Sequence, residues 1–177
     1  MLAPDIDPKV IGKAVQGDGQ AFAFVLEQHY DFIFRVAFQW MGNEEDAEDL
    51  TQEVCVKLAK AIRKFRQESK FTTWLYRVII NQAKDSLRKK QRQPKLSPVD
   101  PEISENLASD EGGEQSERAK TLWESVALLP EKQRDTVRLI YQEGLTHAEA
   151  AEVMQCAEKT ISWYIHEAKK ALKSQLS

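Results

Sequence analysis

The chain has 177 residues, 42% apolar and 30% charged, which are the proportions of a soluble globular protein with room for one ordinary domain or two small ones. Its formal net charge of −3 argues against a free-standing DNA binder, which is basic overall because phosphate neutralisation supplies most of its affinity. No apolar run approaches the roughly 20 residues of a membrane span. The start, Met1-Leu2-Ala3-Pro4-Asp5, lacks the basic and apolar regions of a signal peptide, so the chain is expected to stay in the cytosol.

Residues 8–16 read as a short helix broken by Gly17-Asp18-Gly19, where glycine tolerates turn geometry. A long helix is expected from Gln20 to about Met41, with Phe22, Leu26, Ile33, Val36, Ala37 and Trp40 at three-to-four spacing and Phe24, Phe32, Phe34 and Phe38 on other faces. So many rings suit either a helix buried on two sides or a docking surface for another protein. Gly42-Asn43 is expected to cap its C-terminus.

The next helix opens on Glu44, Glu45 and Asp46, acids that favour the positive end of a helix dipole. Leu50, Val54, Leu58 and Ile62 form its buried edge, leaving Asp46, Asp49 and Glu53 as an outward acidic strip. After a loop at 65–70, a further helix over 71–90 carries the apolar stripe Phe71, Leu75, Ile79, Ala83 and Leu87. Arg77, Asn81, Lys84 and Arg88 cluster opposite that stripe. Residues 63–92 hold ten cations against Glu68 and Asp85, a net +8, with Phe65, Phe71, Trp74 and Tyr76 interleaved. Charge for phosphates and flat faces for bases is what single-stranded nucleic acid requires.

Residues 94–118 lose the pattern. Three prolines and Gly112-Gly113 punctuate the stretch, and seven acids outweigh Lys95 up to Glu117, so a flexible acidic linker is expected. Beyond it, Leu122, Val126 and Leu129 lie on a helix stopped by Pro130, and Val137, Leu139, Ile140 and Tyr141 on the next, closed by Gly144. Thr146 and Glu149 have the spacing of a capping box. A helix from Ala148 to Met154, a turn at Gln155-Cys156-Ala157 and a last helix from about Glu158 to Lys173 make a helix-turn-helix, with Ala150 and Ala151 allowing close approach. The fold class is therefore all-α, two small helical domains (1–93 and 119–177) joined by the linker. Cys55 and Cys156 are expected as buried reduced thiols, and without metal-ligand spacing no cofactor is expected.

Three stretches together resemble the sigma-70 family of bacterial transcription initiation factors, in its small extracytoplasmic-function (ECF) type. Asp46-Ala47-Glu48-Asp49-Leu50-Thr51-Gln52-Glu53-Val54 looks like the family's core-polymerase-binding segment. Phe71-Thr72-Thr73-Trp74-Leu75-Tyr76-Arg77-Val78-Ile79-Ile80-Asn81 looks like its −10 recognition and melting segment. Leu129-Pro130-Glu131-Lys132-Gln133-Arg134, then Tyr141-Gln142-Glu143-Gly144-Leu145-Thr146 and the final helix, is similar to its −35-binding domain.

The resemblance implies that Asp46, Asp49, Leu50, Gln52 and Glu53 bind the β′ clamp helices of RNA polymerase, with the β flap a further polymerase contact. Lys64, Arg66 and Lys70 would serve base selection, Trp74 and Tyr76 stacking or shaping of a pocket, and Arg77, Asn81, Lys84 and Arg88 the opened strand. Core packing remains an equal reading of Trp74. Thr146, Lys159, Thr160, Ser162, Tyr164, His166 and Lys169 would meet −35 DNA. An anti-sigma factor is implied as a regulatory partner, and in the family the linker threads the polymerase's RNA path. This chain departs from relatives in carrying Gln155 and Lys159 where they carry glycine, and in lacking their basic residues near Ser162, Tyr164 and Glu167. A stand-alone helix-turn-helix regulator is the competing reading, which the acidic pI of about 5.7 opposes. An enzyme finds no support, for there is no phosphate loop, nucleophile elbow or His/Asp constellation.

Overall fold

The computed structural model describes residues 6–92 and 114–175, with side chains from 119 to 174 in the second stretch. The chain divides into two compact units, Met1–Pro101 and Glu102–Ser177. Unit 1 contains helices α1 (Pro8–Val15), α2 (Gly19–Met41), α3 (Glu44–Ala61) and α4 (Phe71–Arg92), with a 3-10 turn Ile62–Lys64 after α3. Unit 2 contains α5 (Glu114–Ala127), α6 (Glu131–Val137), α7 (His147–Met154) and α8 (Glu158–Gln175). The described residues form no strand, and the all-α reading holds. The expected linker lies outside the described residues up to 113, while its last part, 114–118, is the start of α5.

Local chemistry sets the helix starts of unit 1. Asp7 caps α1 by accepting from the Lys9 amide at 2.8 Å, with Pro8 at the first helical position, where its missing N–H costs nothing. Asp18 caps α2 through the amides of Gln20 and Ala21. Gly42 ends α2 at φ +83, a left-handed position where a side chain is strained. Asn43, expected to share that C-cap, instead begins α3: it is extended, and its side-chain Oδ1 accepts from the Asp46 amide at 2.9 Å. A short polar side chain can cap either end, and here the orphan amides of the following helix take it.

α2, α3 and α4 pack together around one core, with α1 against α2. Leu50, Val54, Leu58 and Ile62 are all buried, as their four-residue step predicts, joined by Ala47 and by Thr51, whose hydroxyl is satisfied by the Ala47 carbonyl at 2.7 Å. α2 buries Ala21, Val25, His29, Phe32, Ile33, Val36, Ala37 and Trp40. Phe22 and Leu26 are only half-buried, because Val25 and His29 hold the inward position in that turn. His29 was legible only as a polar residue, yet it is 1% exposed, its Nδ1 2.8 Å from the Val25 carbonyl and its ring edge against Phe71.

Unit 2 is built on Val126, Leu129, Val137, Ile165 and Ala168, flanked by Trp123, Ile140, Ala171 and Leu172. Leu122 lies on the exposed side of α5. After α6 the backbone widens into a π turn, Arg138–Gln142, closed by the Glu143 amide bonding Arg138 oxygen at 3.0 Å. Within that turn Leu139 is buried and Ile140 half-buried, while Tyr141 is 56% exposed. The Thr146–Glu149 capping box forms in both directions, at 3.0 and 3.2 Å. α7 ends at Gln155, held at φ +54, and the chain turns into α8. Ala150 and Ala151 are buried at the α7–α8 approach, completing the helix-turn-helix. Cys55 and Cys156 are free thiols and half-buried rather than buried; burial pushes the Cys55 thiol up.

Leu75 is fully enclosed, whereas Val56 is 70% exposed on α3. Leu75→Ala is expected to destabilise unit 1 by about 2–5 kcal/mol. Val56→Ala is expected to change stability by no more than about 0.5 kcal/mol, both read from denaturant unfolding of the full chain. Equal effects would mean that α4 does not seat Leu75 in the core.

Candidate functional site

Unit 1 presents two polar faces. On α3, Asp49, Gln52 and Glu53 are exposed and Asp46 is half-exposed at the start of the same strip. Helical projection places Val56 among them, within about 60° of both Asp49 and Glu53. The same projection places it outside the buried edge Leu50-Val54-Leu58-Ile62. Leu50 belongs elsewhere: at 1% exposure it supports the strip from behind and offers no surface to a partner.

The strip is braced from α4. Glu53 accepts from the Gln82 amide at 2.8 Å and the Ser86 hydroxyl at 3.2 Å, and Lys57 reaches the other end of the Gln82 amide at 2.8 Å. Asp46 pairs with Lys90 and accepts from the Asn43 side chain at 2.7 Å. Partial burial raises the Asp46 pKa, but the hydrogen bonds from Lys90 and Asn43 and the Lys90 charge outweigh it, holding the carboxyl below its ordinary value.

On α4, Asn81 and Arg88 are exposed and Arg77 and Lys84 half-buried, on the side away from Leu75 and Ile79. The Lys84 ammonium lies 5.9 Å from the centre of the Trp40 ring, and Arg88 is 3.8 Å from Asp85 one turn back. Gln82, Ser86 and Lys90 occupy a different side, toward α3. Trp74 and Tyr76 do not belong to the outward face: they are 8% and 7% exposed. Trp74 packs on Phe65 and Phe71 at 5.1 and 5.6 Å, and Tyr76 lies edge-on to Phe32 at 4.8 Å with its hydroxyl 3.4 Å from Arg35. At that burial neither ring offers a face to a base in this arrangement; Trp74 backs the Phe65 and Phe71 rings, and Tyr76 belongs to the core beside α2. An amphipathic period sorts residues by face, but it does not tell a ring that covers the core from one that leaves it.

The segment between Phe65 and Phe71 is pinned at both ends by this cluster, the two rings being 5.5 Å apart. Between them Arg66 and Lys70 are exposed, as is Lys64 just before Phe65, and Gln67 adopts φ +56. Beside the segment lies a cleft of about 240 Å³ whose walls include Ile11, His29, Phe65, Gln67, Lys70 and Thr72. That is below the roughly 300–1,000 Å³ of drug-sized ligand sites. Its mixed wall of rings, an amide and a lysine suits a single flat heterocycle. The contribution of α1 and His29 had no signal in the sequence, since a long-range pocket wall has no local period.

In unit 2 the outward side of α8 carries Lys159, Ser162, His166 and Lys169, while Thr160 and Tyr164 are half-buried on its flank. Thr146 is engaged by its capping partner Glu149, the hydroxyl lying 3.0 Å from the carboxylate. Ser162 donates to the Glu158 carbonyl at 3.3 Å and meets His147 at 3.1 Å. The Lys169 ammonium lies 5.9 Å from the Tyr141 ring. Trp163 and Lys170 are exposed on the same side; neither is among the −35 residues that the resemblance implies.

A lowered carboxylate pKa stabilises the fold above the unfolded-state pKa, and that contribution is lost as pH falls through the folded-state value. Asp46→Asn is therefore expected to lower the denaturant midpoint of unit 1 at pH 7, by an amount that shrinks when the pH drops below the ordinary carboxylate pKa of about 3.9. An equal loss at neutral pH and near pH 3 would remove the Lys90 pair as its cause.

Known proteins account for this arrangement. The profile described as Sigma-70 region 2 matches residues 25–93, and that described as Sigma-70, region 4 matches 119–172. The chain is 31% identical to the RNA polymerase sigma-H factor of Pseudomonas aeruginosa, over 99% of this chain and 96% of that one. It is 28% identical to the ECF RNA polymerase sigma factor SigW of Bacillus subtilis, over 95% of each. Its fold is similar to that of the sigma factor RpoE of Bartonella quintana, solved in complex with the anti-sigma factor NepR, with a TM-score of 0.65 at 21% identity, over 89% of this chain and 97% of that one.

Proposed function

The chain belongs to the sigma-70 family, in its ECF type, and from that premise we propose how its faces divide the work of a transcription initiation factor. A sigma factor is not an enzyme: it binds core RNA polymerase and directs it to −35/−10 promoters, where it assists melting. In unit 1, Asp49, Gln52, Glu53 and Asp46 dock on the β′ clamp helices, with Val56 as an apolar contact at the centre of the strip. The side chain of Leu50 is left out of this surface by its burial. The bracing of Glu53 and Asp46 by α4 supports the assignment, because acids already held in place lose less conformational freedom on binding.

Arg77, Asn81, Lys84 and Arg88 track the opened non-template strand, and Lys64, Arg66 and Lys70 draw its phosphates toward the cleft beside Phe65 and Phe71. The cleft receives one unstacked base of the −10 element, with Trp74 backing its Phe65 and Phe71 rings. The observation that carries this reading is a cleft walled by Phe65, Phe71, Gln67 and the exposed Lys70, since capturing a flipped base needs a pocket and charge beside it. In unit 2, α8 enters the major groove of the −35 element, with α7 behind it and the β flap contacting the same unit.

An anti-sigma factor controls the protein in this proposal. The Bartonella protein is bound to one, and in unit 1 α2 leaves Phe24 exposed, with Phe34 and Phe38 half-buried and 6.2 Å apart, as apolar surface to grip. Among the described residues no helix is long and apolar enough to cross a membrane, and we assign the protein to the bacterial cytoplasm, where polymerase works.

Run-off transcription on genomic fragments with purified core polymerase tests the whole. Promoter-specific starts are expected only when the protein is added, and none from any fragment would refute it. Reversing Asp49 and Glu53 to lysine is expected to weaken capture of core polymerase about tenfold or more, roughly 1.4 kcal/mol, with the thermal melt unchanged. Unchanged capture would remove the α3 strip. Arg77→Ala with Lys84→Ala is expected to cut permanganate-detected strand opening while core binding persists, whereas equal loss of both would indicate damage to the fold.

A further inference from the structure

α8 lacks the residue that most often reads DNA. It contains no arginine from Glu158 to Gln175, so the bidentate arginine contact to guanine is unavailable from this helix. Several of its polar side chains are already engaged: Ser162 by the Glu158 carbonyl and His147, Lys169 by the Tyr141 ring. What the helix presents instead is an indole. Trp163 is 55% exposed, while Ile161, Ile165 and Ala168 bury the opposite side.

At 100° per residue Lys159, Trp163, His166 and Lys170 fall within about 60° of one another, so a lysine stands one turn before the ring and another two turns after it. A single exposed apolar side chain would need no explanation on a random surface. This one lies at the centre of the cationic face of the second helix of a helix-turn-helix, and the Tyr164 ring, 5.2 Å away at 52°, restricts its orientation. A ring held in place between cations has little else to recognise in a major groove than the groove's one apolar group, the C5-methyl of thymine.

We propose that Trp163 is the specificity-determining residue of α8 and that it selects thymine in the −35 element by covering its C5-methyl group, with Lys159 and Lys170 on the flanking phosphates. The inference rests on the assignment of unit 2 to the −35 element and names the chemistry read there.

The test uses the full chain assembled with core polymerase. Duplexes randomised upstream of a fixed −10 region are selected for holoenzyme binding, and each thymine in the enriched upstream sequence is then replaced by deoxyuridine, which removes only the methyl group. At one or two positions uracil is expected to weaken binding on the order of fourfold, the worth of one buried methyl group. Trp163→Ala, checked for an unchanged melt, is expected to bind thymine and uracil duplexes equally, and Trp163→Phe to keep part of the discrimination. Selective binding that tolerates uracil everywhere overturns the inference and leaves the −35 assignment intact, as does a Trp163→Ala protein that still prefers thymine. Enrichment of no upstream sequence overturns the −35 assignment itself and this inference with it.

Discussion

Unit 1 depends on the packing of Phe65, Phe71 and Trp74 ring against ring, at separations of 5.1 to 5.6 Å. Aromatic side chains bury large areas, and their tilted pairs add of order 0.5–1.5 kcal/mol beyond that burial. Because Phe65 ends one element and Phe71 begins the next, the cluster fastens both ends of the segment between them. His29 extends it to α2 through Phe71, and Phe32 and Tyr76 continue the same layer. The exposed Arg66 and Lys70 are therefore carried on a rigid base, the condition a recognition loop needs to hold its groups without moving its supports.

This division explains why a chain of net negative charge can contact DNA. Its cations are concentrated on α4, on the segment before it and on α8, while the acids of α3 are gathered on another surface. A long-range field around the whole molecule would be weak, and the local patches act only at close approach, within about a Debye length of 8–10 Å. A partner that brings the patches to the duplex is then a physical necessity, which is what core polymerase supplies to a sigma factor.

Much of this was legible in the residues. The edge Leu50-Val54-Leu58-Ile62, the Thr146–Glu149 box and the broad extent of most helices follow from local rules of period and capping, and these survive because nothing distant competes with them. The direction of single side chains was less legible. Composition counts rings without saying which side they take, and Trp74, for which core packing was an equal reading, is buried together with Tyr76. Asn43 serves the helix after it rather than the one before. Gln155 adopts a left-handed backbone that favours glycine, so the glutamine bears a strain of about 1 kcal/mol that the rest of the turn must hold.

The pair between Asp46 and Lys90 ties the first turn of α3 to the last turn of α4, two residues before Arg92 ends the helix. The C-terminal turn of α4 is thereby held beside the acidic strip of α3. One ion pair serves two helices, so whatever draws Asp46 away from Lys90 loosens the end of α4 as well as the strip that it borders.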